Sequence, residues 1–434
     1  MSGHRGLTRR RFMGFAGTTV GAFLFPLTAA DRAFASAMRT VASGIQRLPQ
    51  DDRQWADVQA AFNLRGRITM NTANLAPASA PARAALQALT DTVDADPSFQ
   101  NRAQFSSARQ VTRELLAELV GADATELALT RNTTESNNFV VQGLDLGPGD
   151  EVVVTEHNHP SNRASWKVRA RRAGFSVVQV PVATPAPSPQ RLLDDLQSVT
   201  TARTRVIAYS HVTNTGGCRY PVEEISAWAQ RRGILTLVDG AQTCGVLDLD
   251  LHAMGCDFYT ASAHKWPCSP REVGMMYVRK ESQPLLWPSV VGLGYGESDA
   301  RSRLESLGQR DDASLAAFGH AIRFLLEIGR SSIAARVVAL TSFLKEELAK
   351  LPRVTLYTPM DPDFSAGVVT FHVDDVDFRE AYRWLYEQRR IVCAPSGVEQ
   401  GGIRLSPHIY TSLEECERAL AAVHEIVSGS AAIG

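Results

Sequence analysis

The apolar positions of this chain change period along its length, and the changes mark out its elements. Val111, Leu115 and Leu119 recur four apart, the spacing of one helix face, and predict a helix over 106–120. A short apolar run at 126–130 reads as a strand. So does EVVVT at 151–155, which follows the turn Gly147-Pro148-Gly149-Asp150. Further strands are predicted at 175–182, 205–212, 234–239 and 258–261, with a helical pattern at 222–232 between two of them. Strands alternating with helices predict an α/β fold with a largely parallel sheet. One long helical pattern covers 313–350. Beyond it the rhythm changes. Apolar runs at 354–357, 368–373, 391–394 and 403–406 flank a helix over 378–390, and a last helix starts at Leu413. That predicts a smaller α+β domain. The expected order is an arm over 36–80, a large domain over 81–310 and a small domain over 311–434. There is no internal repeat, and the Pro/Ala/Ser stretch at 184–190 reads as a loop.

Composition narrows the function classes. The chain has 434 residues, long enough for two domains and a cleft between them. Its 45 basic and 46 acidic residues are interspersed and nearly cancel, which speaks against a nucleic-acid or membrane surface. The six cysteines form no CxxC pair, so no structural metal is expected, and they read as buried free thiols.

The N-terminus carries an address. Thr8-Arg9-Arg10-Arg11-Phe12-Met13-Gly14 precedes a soft apolar stretch over 15–30, too short and too interrupted by Pro26 to span a bilayer. Ala33-Phe34-Ala35 and the overlapping Ala35-Ser36-Ala37 have the small residues of a signal-peptidase site. The segment 1–35 resembles a twin-arginine export signal. That resemblance implies delivery, already folded, to the periplasm or beyond by the twin-arginine machinery, with no membrane insertion of the mature form. The plain alternative is a basic tail.

In parallel sheets ligands gather at the carboxyl ends of strands, so the residues after each strand are the candidates. After 126–130 comes Arg131-Asn132-Thr133-Thr134-Glu135-Ser136, a helix start that either binds a phosphate or is an ordinary cap. After 151–155 comes Glu156-His157-Asn158-His159-Pro160. His157 suits stacking over a planar ring, with His159 its rival; either can equally be structural. After 205–212 comes Thr213-Asn214-Thr215-Gly216-Gly217, a ligand-binding or turn-capping asparagine. Asp239 ends an apolar strand, where a carboxylate needs a partner: a protonated ring nitrogen, a metal or an arginine. Lys265 stands 26 residues further on, in Ser262-Ala263-His264-Lys265-Trp266. Among small and apolar neighbours a lysine acts as an amine nucleophile; alone it is usually just solvated.

Together, TRNTTES, TEH, SHVTNTGG, LVDGAQ and SAHKW make the region from about 66 to 430 resemble the class V aminotransferase family, and its end resembles the isopenicillin N epimerase-like branch. The resemblance implies the pyridoxal-phosphate (PLP) transferase fold of type I, with Lys265 holding the cofactor as a Schiff base. It implies that Thr133, Thr134, Ser262 and His264 contact the phosphate and that His157 stacks on the ring. Asp239 would pair with the ring nitrogen, and Asn214 and Gln242 would flank the phenolic oxygen. Arg404 would hold a substrate carboxylate, and Asn74, in the loop 71–77, would line the site. Many relatives form homodimers in which a Gly-Thr reaches the partner's phosphate; here Gly308-Gln309 stands in that place, so Gln309 is the candidate.

The activity implied is PLP chemistry on an amino acid or peptidyl amine, with Lys265, His157 and Asp239 as catalytic residues. Transamination is expected, with epimerisation or β-elimination (C–S lyase) as alternatives. A non-catalytic exported binding protein on a PLP scaffold is the reading from another class. A desulfurase would need an exposed, mobile cysteine before Arg404, and Cys393 sits on an apparent strand. A hydrolase would need a Gly-x-Ser-x-Gly elbow, which the chain lacks.

Overall fold

The computed structural model describes residues 29–45, 55–398, 401–431 and 433. The paired arginines, and Glu399 and Gln400 before Arg404, lie outside the described residues. In chain order the strands are β1 (Ile68–Thr69), β2 (Leu127–Thr130), β3 (Glu151–Thr155), β4 (Ser176–Val180), β5 (Thr204–Ser210), β6 (Leu235–Asp239), β7 (Phe258–Ser262) and β8 (Gly274–Val278), then β9 (Val354–Leu356), β10 (Val369–Val373), β11 (Ile391–Val392), β12 (Ala394–Ser396) and β13 (Gly402–Leu405).

Strands β2 to β8 form one seven-stranded sheet in the order β2-β8-β7-β6-β5-β3-β4. All pairings are parallel except those of β8, which runs against both β2 and β7. Successive side chains go to opposite faces. Val152, Val154, Val206, Ala208, Leu237 and Phe258 join one buried cluster. Val153, Ile207, Val238 and Tyr259 join another. Both faces are therefore covered, which is why these strands are apolar throughout rather than alternating. The α/β expectation, with a largely parallel sheet, holds.

The helices that matter here are α1 (Ala29–Ile45), α2 (Ala80–Ala95), α3 (Gln104–Val120), α4 (Thr133–Gly143), α5 (Pro160–Ala173), α6 (Asp312–Ile328), α7 (Arg330–Leu348), α8 (Phe378–Arg389) and α9 (Leu413–Val427). The single helix expected over 313–350 is two. Gly329 at φ 97° lies between α6 and α7 and breaks the pattern, a conformation glycine adopts without strain. The halves then pack separately. Helix α6 lies on α2 and α3, on the large-domain side, although the sequence reading grouped it with the small domain. The small domain's sheet, order β12-β13-β10-β9, is covered by α7, α8 and α9. Its core joins Leu340, Phe371, Trp384, Leu405 and Val423.

The N-terminal arm ties the two together. Strand β1 pairs with β11, and Ile68 and Met70 join the small domain's core. Helix α1 packs on α2 and passes straight through the small-residue stretch 33–37.

Candidate active site

Strand ends β2, β3, β5, β6 and β7 bring their loops to one place, and the small-domain strand β13 faces them. Helix α4 begins there. Asn132 caps it, accepting from the Glu135 N–H at 3.0 Å. The Thr133 N–H donates to Ser262 Oγ at 2.8 Å, and the two hydroxyls also meet at 2.8 Å. The carboxyl end of β7 is thus bound to the first turn of α4, where the Thr133 and Glu135 N–H groups are taken and the Thr134 N–H has no partner among the described residues, at a helix end whose dipole attracts an anion. Thr134 sits exposed at the lip, its hydroxyl 3.3 Å from Ser161 Oγ.

Asp239 ends β6 and is 4% exposed. One oxygen accepts from the Ala241 N–H at 3.0 Å, the other from Asn137 Nδ2 at 3.2 Å. Asn137 is itself aimed by Thr260, whose hydroxyl donates to its Oδ1 at 2.9 Å. No cation lies within ion-pair distance of Asp239 among the described residues. A buried carboxylate held by two donors but lacking a counter-charge fits a protonated pyridine nitrogen. Asn137 was not singled out in the sequence; its position four after Thr133, on the same helix face, was the available signal.

Lys265 follows β7 and is partly buried. Burial pushes its amine down to about 8; Asp239 opposes this and Arg404 adds to it. Its ammonium makes no hydrogen bond to any described residue. Such an amine is far more often neutral near pH 8 than an ordinary lysine, and so more nucleophilic. The neighbouring Trp266 is fully buried, and its indole N–H donates to Gln242 Oε1 at 2.9 Å. Gln242 Nε2 donates to the Ala73 carbonyl at 3.0 Å. Gln242 therefore braces the lysine turn against the arm, which leaves one N–H for a cofactor. The His264 ring is lowered to about 4 by burial, then by Lys265 and Arg271, so it stands neutral.

The two histidines part company. His157 Nε2 lies 3.2 Å from Thr184 Oγ1, and its Nδ1 is buried without a partner. Burial lowers its pKa, Glu156 opposes and Arg163 adds. His159 caps α5, with Nδ1 2.8 Å from Ser161 Oγ. Burial lowers it too, but the charges it then feels are Lys265, Asp239, Arg404 and Arg163. Through Ser161 it also adjoins Thr134 of the anion cradle. His159 feels the charges of Lys265, Asp239 and Arg404, while His157 lies against Thr184 and Gly216.

Arg404 stands in β13, opposite Thr370 and Ala394 of the flanking strands. It is 7% exposed. Nη1 donates to the Asn214 carbonyl at 3.0 Å and Nη2 to Asn71 Oδ1 at 3.3 Å, while Nε has no partner. No carboxylate pairs with it among the described residues, and burial lowers its pKa to about 10. A buried guanidinium without a counter-ion has the charge and the fork to take a carboxylate. Asn214 meets Arg404 through its carbonyl. Asn74 is exposed, and it is Asn71, three residues earlier, that touches Arg404.

Gln309 is exposed and tied locally: Oε1 accepts from Arg102 and Nε2 donates to the Arg310 carbonyl, both at 2.7 Å. It contacts none of the cradle residues of its own chain. All six cysteines are buried and free. Cys393, between β11 and β12, is pushed up to about 12 by burial.

The family model "Aminotransferase class-V" matches residues 84–418. An isopenicillin N epimerase of Streptomyces clavuligerus is 33% identical over 323 residues, 70% of this chain and 81% of that protein. A probable cysteine desulfurase of Pyrococcus abyssi (strain GE5 / Orsay) is 28% identical over 336 residues, 73% of this chain and 82% of that one. Among solved structures, a C-DES mutant with glycine covalently linked to its PLP cofactor superposes with a TM-score of 0.78 at 24% identity, covering 87% of this chain and 100% of that one. The chain belongs to the class V aminotransferase family and is a PLP enzyme of fold type I.

Proposed function

We propose that the enzyme takes the α-proton from an amino acid or peptidyl amine and completes a transamination. The observation that supports this best is the company of Lys265: an amine lowered to about 8 by burial that feels the charges of both Asp239 and Arg404. Bound PLP supplies an aldehyde for the substrate amine and a ring that takes up electron density from the α-carbon. The chain's residues supply the rest. Thr133, Thr134 and Ser262 would hold the phosphate at the start of α4. Asp239, aimed by Asn137, would keep the ring nitrogen protonated. His159 would stack on the ring, with His157 kept for the substrate side. Arg404, with Asn71 and the Asn214 carbonyl fixing its plane, would bind the α-carboxylate. Lys265, released by the substrate amine, would carry the α-proton.

Epimerisation is the second reading. It is favoured by the likeness to an isopenicillin N epimerase and by His159, a titratable ring facing the same centre as Lys265. A desulfurase-like lyase is disfavoured by the buried, poorly ionised Cys393.

We propose further that the enzyme is an exported homodimer. Trp287, Val290, Val291 and Leu293 form an exposed apolar segment that a second copy would cover. Leu293 and Gln309 line one cavity beside it, which would set Gln309 near the partner's phosphate.

The test is a panel of amino acids and peptides with PLP-loaded enzyme in deuterated water, following α-hydrogen exchange and product mass. Transamination gives exchange and an oxo product. Epimerisation gives exchange with inverted, unchanged mass apart from deuterium. PLP uptake without exchange on any substrate would favour a binding protein, and no PLP uptake would sink the reading altogether.

A further inference from the structure

We propose that His408 is a positioning residue: its ring ties the Lys265 turn of the large domain to the strand that carries Arg404, and so fixes the amine relative to the carboxylate site. The inference deepens the functional reading above and rests on the roles given there to Lys265 and Arg404.

Three successive carbonyls run through the lysine turn, and each has a donor. His264 O accepts from the Ala76 N–H at 2.9 Å and Lys265 O from the Cys268 N–H at 3.0 Å. Main-chain donors of that kind come with almost any sequence. Trp266 O accepts instead from a side chain, His408 Nε2, at 2.8 Å. A carbonyl can only accept, so Nε2 carries the proton. His408 stands four residues after Arg404, just beyond the end of β13. The stretch between them is stitched to the arm. The Ser406 N–H donates to the Met70 carbonyl at 2.8 Å, and Ser406 Oγ accepts from the Ala73 N–H at 3.1 Å. One short run of chain therefore bears both the guanidinium and the donor that grips the lysine turn.

A hydrocarbon side chain would fill this space without a polar atom to satisfy. His408 is fully buried, and its Nδ1 has no partner among the described residues. Such an atom is unfavourable in the interior, and an apolar group of the same shape avoids it. The ring brings no charge either: burial lowers it to about 4, with the bond to Trp266 opposing. What the imidazole adds is one aimed donor. Its aim is set by the Trp266 ring, edge-on at 5.2 Å, and the Tyr410 ring at 5.8 Å. Trp266 is wedged in turn. A Cβ on Gly367 would lie 2.2 Å from its Cη2, and one on Gly245 3.0 Å from its carbonyl carbon. An amino acid carries its amine and carboxylate on one carbon, so the groups that receive them must keep their spacing. A misplacement of about 1 Å can cost about a hundredfold in rate.

The test compares glycine with methylamine on the PLP-loaded enzyme. Either amine takes the place of Lys265 on the cofactor, and the lysine leaves as a free amine; only glycine has a carboxylate for Arg404. Stopped-flow measurement of the cofactor's visible spectrum gives each rate. Wild type takes glycine about tenfold or more faster than methylamine, the worth of one charge-assisted contact. His408→Leu removes the donor and brings that ratio close to one. His408→Gln, whose amide nitrogen stands in for Nε2, keeps most of it. A loss of structure alone would slow both amines alike and leave the ratio. Apoenzyme saturated with PLP gives a second reading: formation of the lysine adduct slows in His408→Leu and recovers in His408→Gln. Melting curves and circular dichroism check each fold. Should His408→Leu not fold, His408→Asn, whose amide is one bond shorter than that of glutamine, replaces it. A ratio unchanged by loss of the donor, or lost equally in His408→Gln, overturns the proposal. So does adduct formation at the wild-type rate in His408→Leu. Arg404→Gln separates the two readings. A glycine preference absent from wild type, or surviving Arg404→Gln, refutes Arg404 as the carboxylate's partner; one that Arg404→Gln removes and His408→Leu leaves refutes only the role of His408.

Discussion

Asn137 Nδ2 stands 3.2 Å from Asp239 Oδ2, and this bond joins the helix that starts at the anion cradle to the carboxylate that ends β6. Thr260 holds the other end of the same amide. The carboxylate is therefore aimed before any ligand arrives. Removing the amide frees one carboxylate oxygen and leaves the Thr260 hydroxyl unpaired. Asn137→Ala should weaken PLP binding by roughly ten- to a hundredfold, the range for a hydrogen bond to a charged group. Fluorescence titration of the apoenzyme with PLP measures this. A dissociation constant within twofold of wild type would show that Asp239 needs no such support.

Lys265 gives a prediction with a defined pH window. Its amine titrates near 8 in the folded chain against an ordinary 10.5. The unfolded chain holds the extra proton between those values, so apoenzyme stability rises with pH across that interval. Below about 8 the charged, desolvated amine is a constant burden; above 10.5 it vanishes. Lys265→Met apoenzyme should thus melt above wild-type apoenzyme at pH 7, with the gap closing as pH passes 10.5. Differential scanning calorimetry across pH 6–11 reads this directly. The same variant should give no borohydride-trapped PLP adduct.

The two histidines should separate by what their loss disturbs. His159→Ala should lower PLP affinity and change the visible circular dichroism of the bound cofactor. His157→Ala should leave that spectrum nearly unchanged and act on substrate KM. The opposite pattern would return the stacking role to His157.

How much of this was legible in the sequence depends on distance along the chain. Strands such as Glu151–Thr155 were plain because both faces are buried, so every position is apolar. Gly274–Val278 went unseen: a glycine and two methionines, with a single β-branched residue, do not advertise a strand. Residues named after strand ends came together, because parallel topology gathers those ends whatever the loops do. The misses are contacts made across the fold. Asn137 meets Asp239 102 residues away, and Arg404 meets Asn71 333 residues away. Helix spacing from Thr133 puts Asn137 on the cradle's face but does not name Asp239 as its partner, and nothing local in Asn71 points to Arg404. Gln242, expected to flank the phenolic oxygen, is engaged with Trp266 and Ala73, contacts that only packing reveals.

The thiols should be silent. Burial raises Cys218 to about 11 and Cys244 and Cys393 to about 12, and pushes Cys256 and Cys268 higher still. Only thiolates react readily, and these are scarce below pH 9. Native enzyme at pH 8 should therefore release almost no chromophore from a disulfide reagent within minutes, and full release should need denaturant. A rapid stoichiometric reaction of Cys393 would reopen the desulfurase reading.

The N-terminal helix sets two demands against each other. The small residues at 33–37 have the form of a processing site, yet they lie within α1, whose buried side packs on α2. Phe34 is 4% exposed, its ring centroid 5.1 Å from that of His320, with Arg323 above it at 5.4 Å. Asp31 lies 3.5 Å from Arg323 and 4.0 Å from His320. A chain starting at Ser36 loses both Phe34 and Asp31. Losing a buried phenylalanine alone typically costs about 3–5 kcal/mol. Such a chain should melt well below one starting at Ala29, and Phe34→Ala should reproduce much of the deficit. His320 offers an independent readout. Burial, with Arg323 adding and Asp31 opposing, now holds its ring near 4, and uncovering it should bring it back toward 6.5. Proton NMR titration of the two chains would detect that shift. Equal melting temperatures and an unmoved His320 would mean that residues 29–35 contribute nothing to the folded enzyme and that 33–37 is free to be cut.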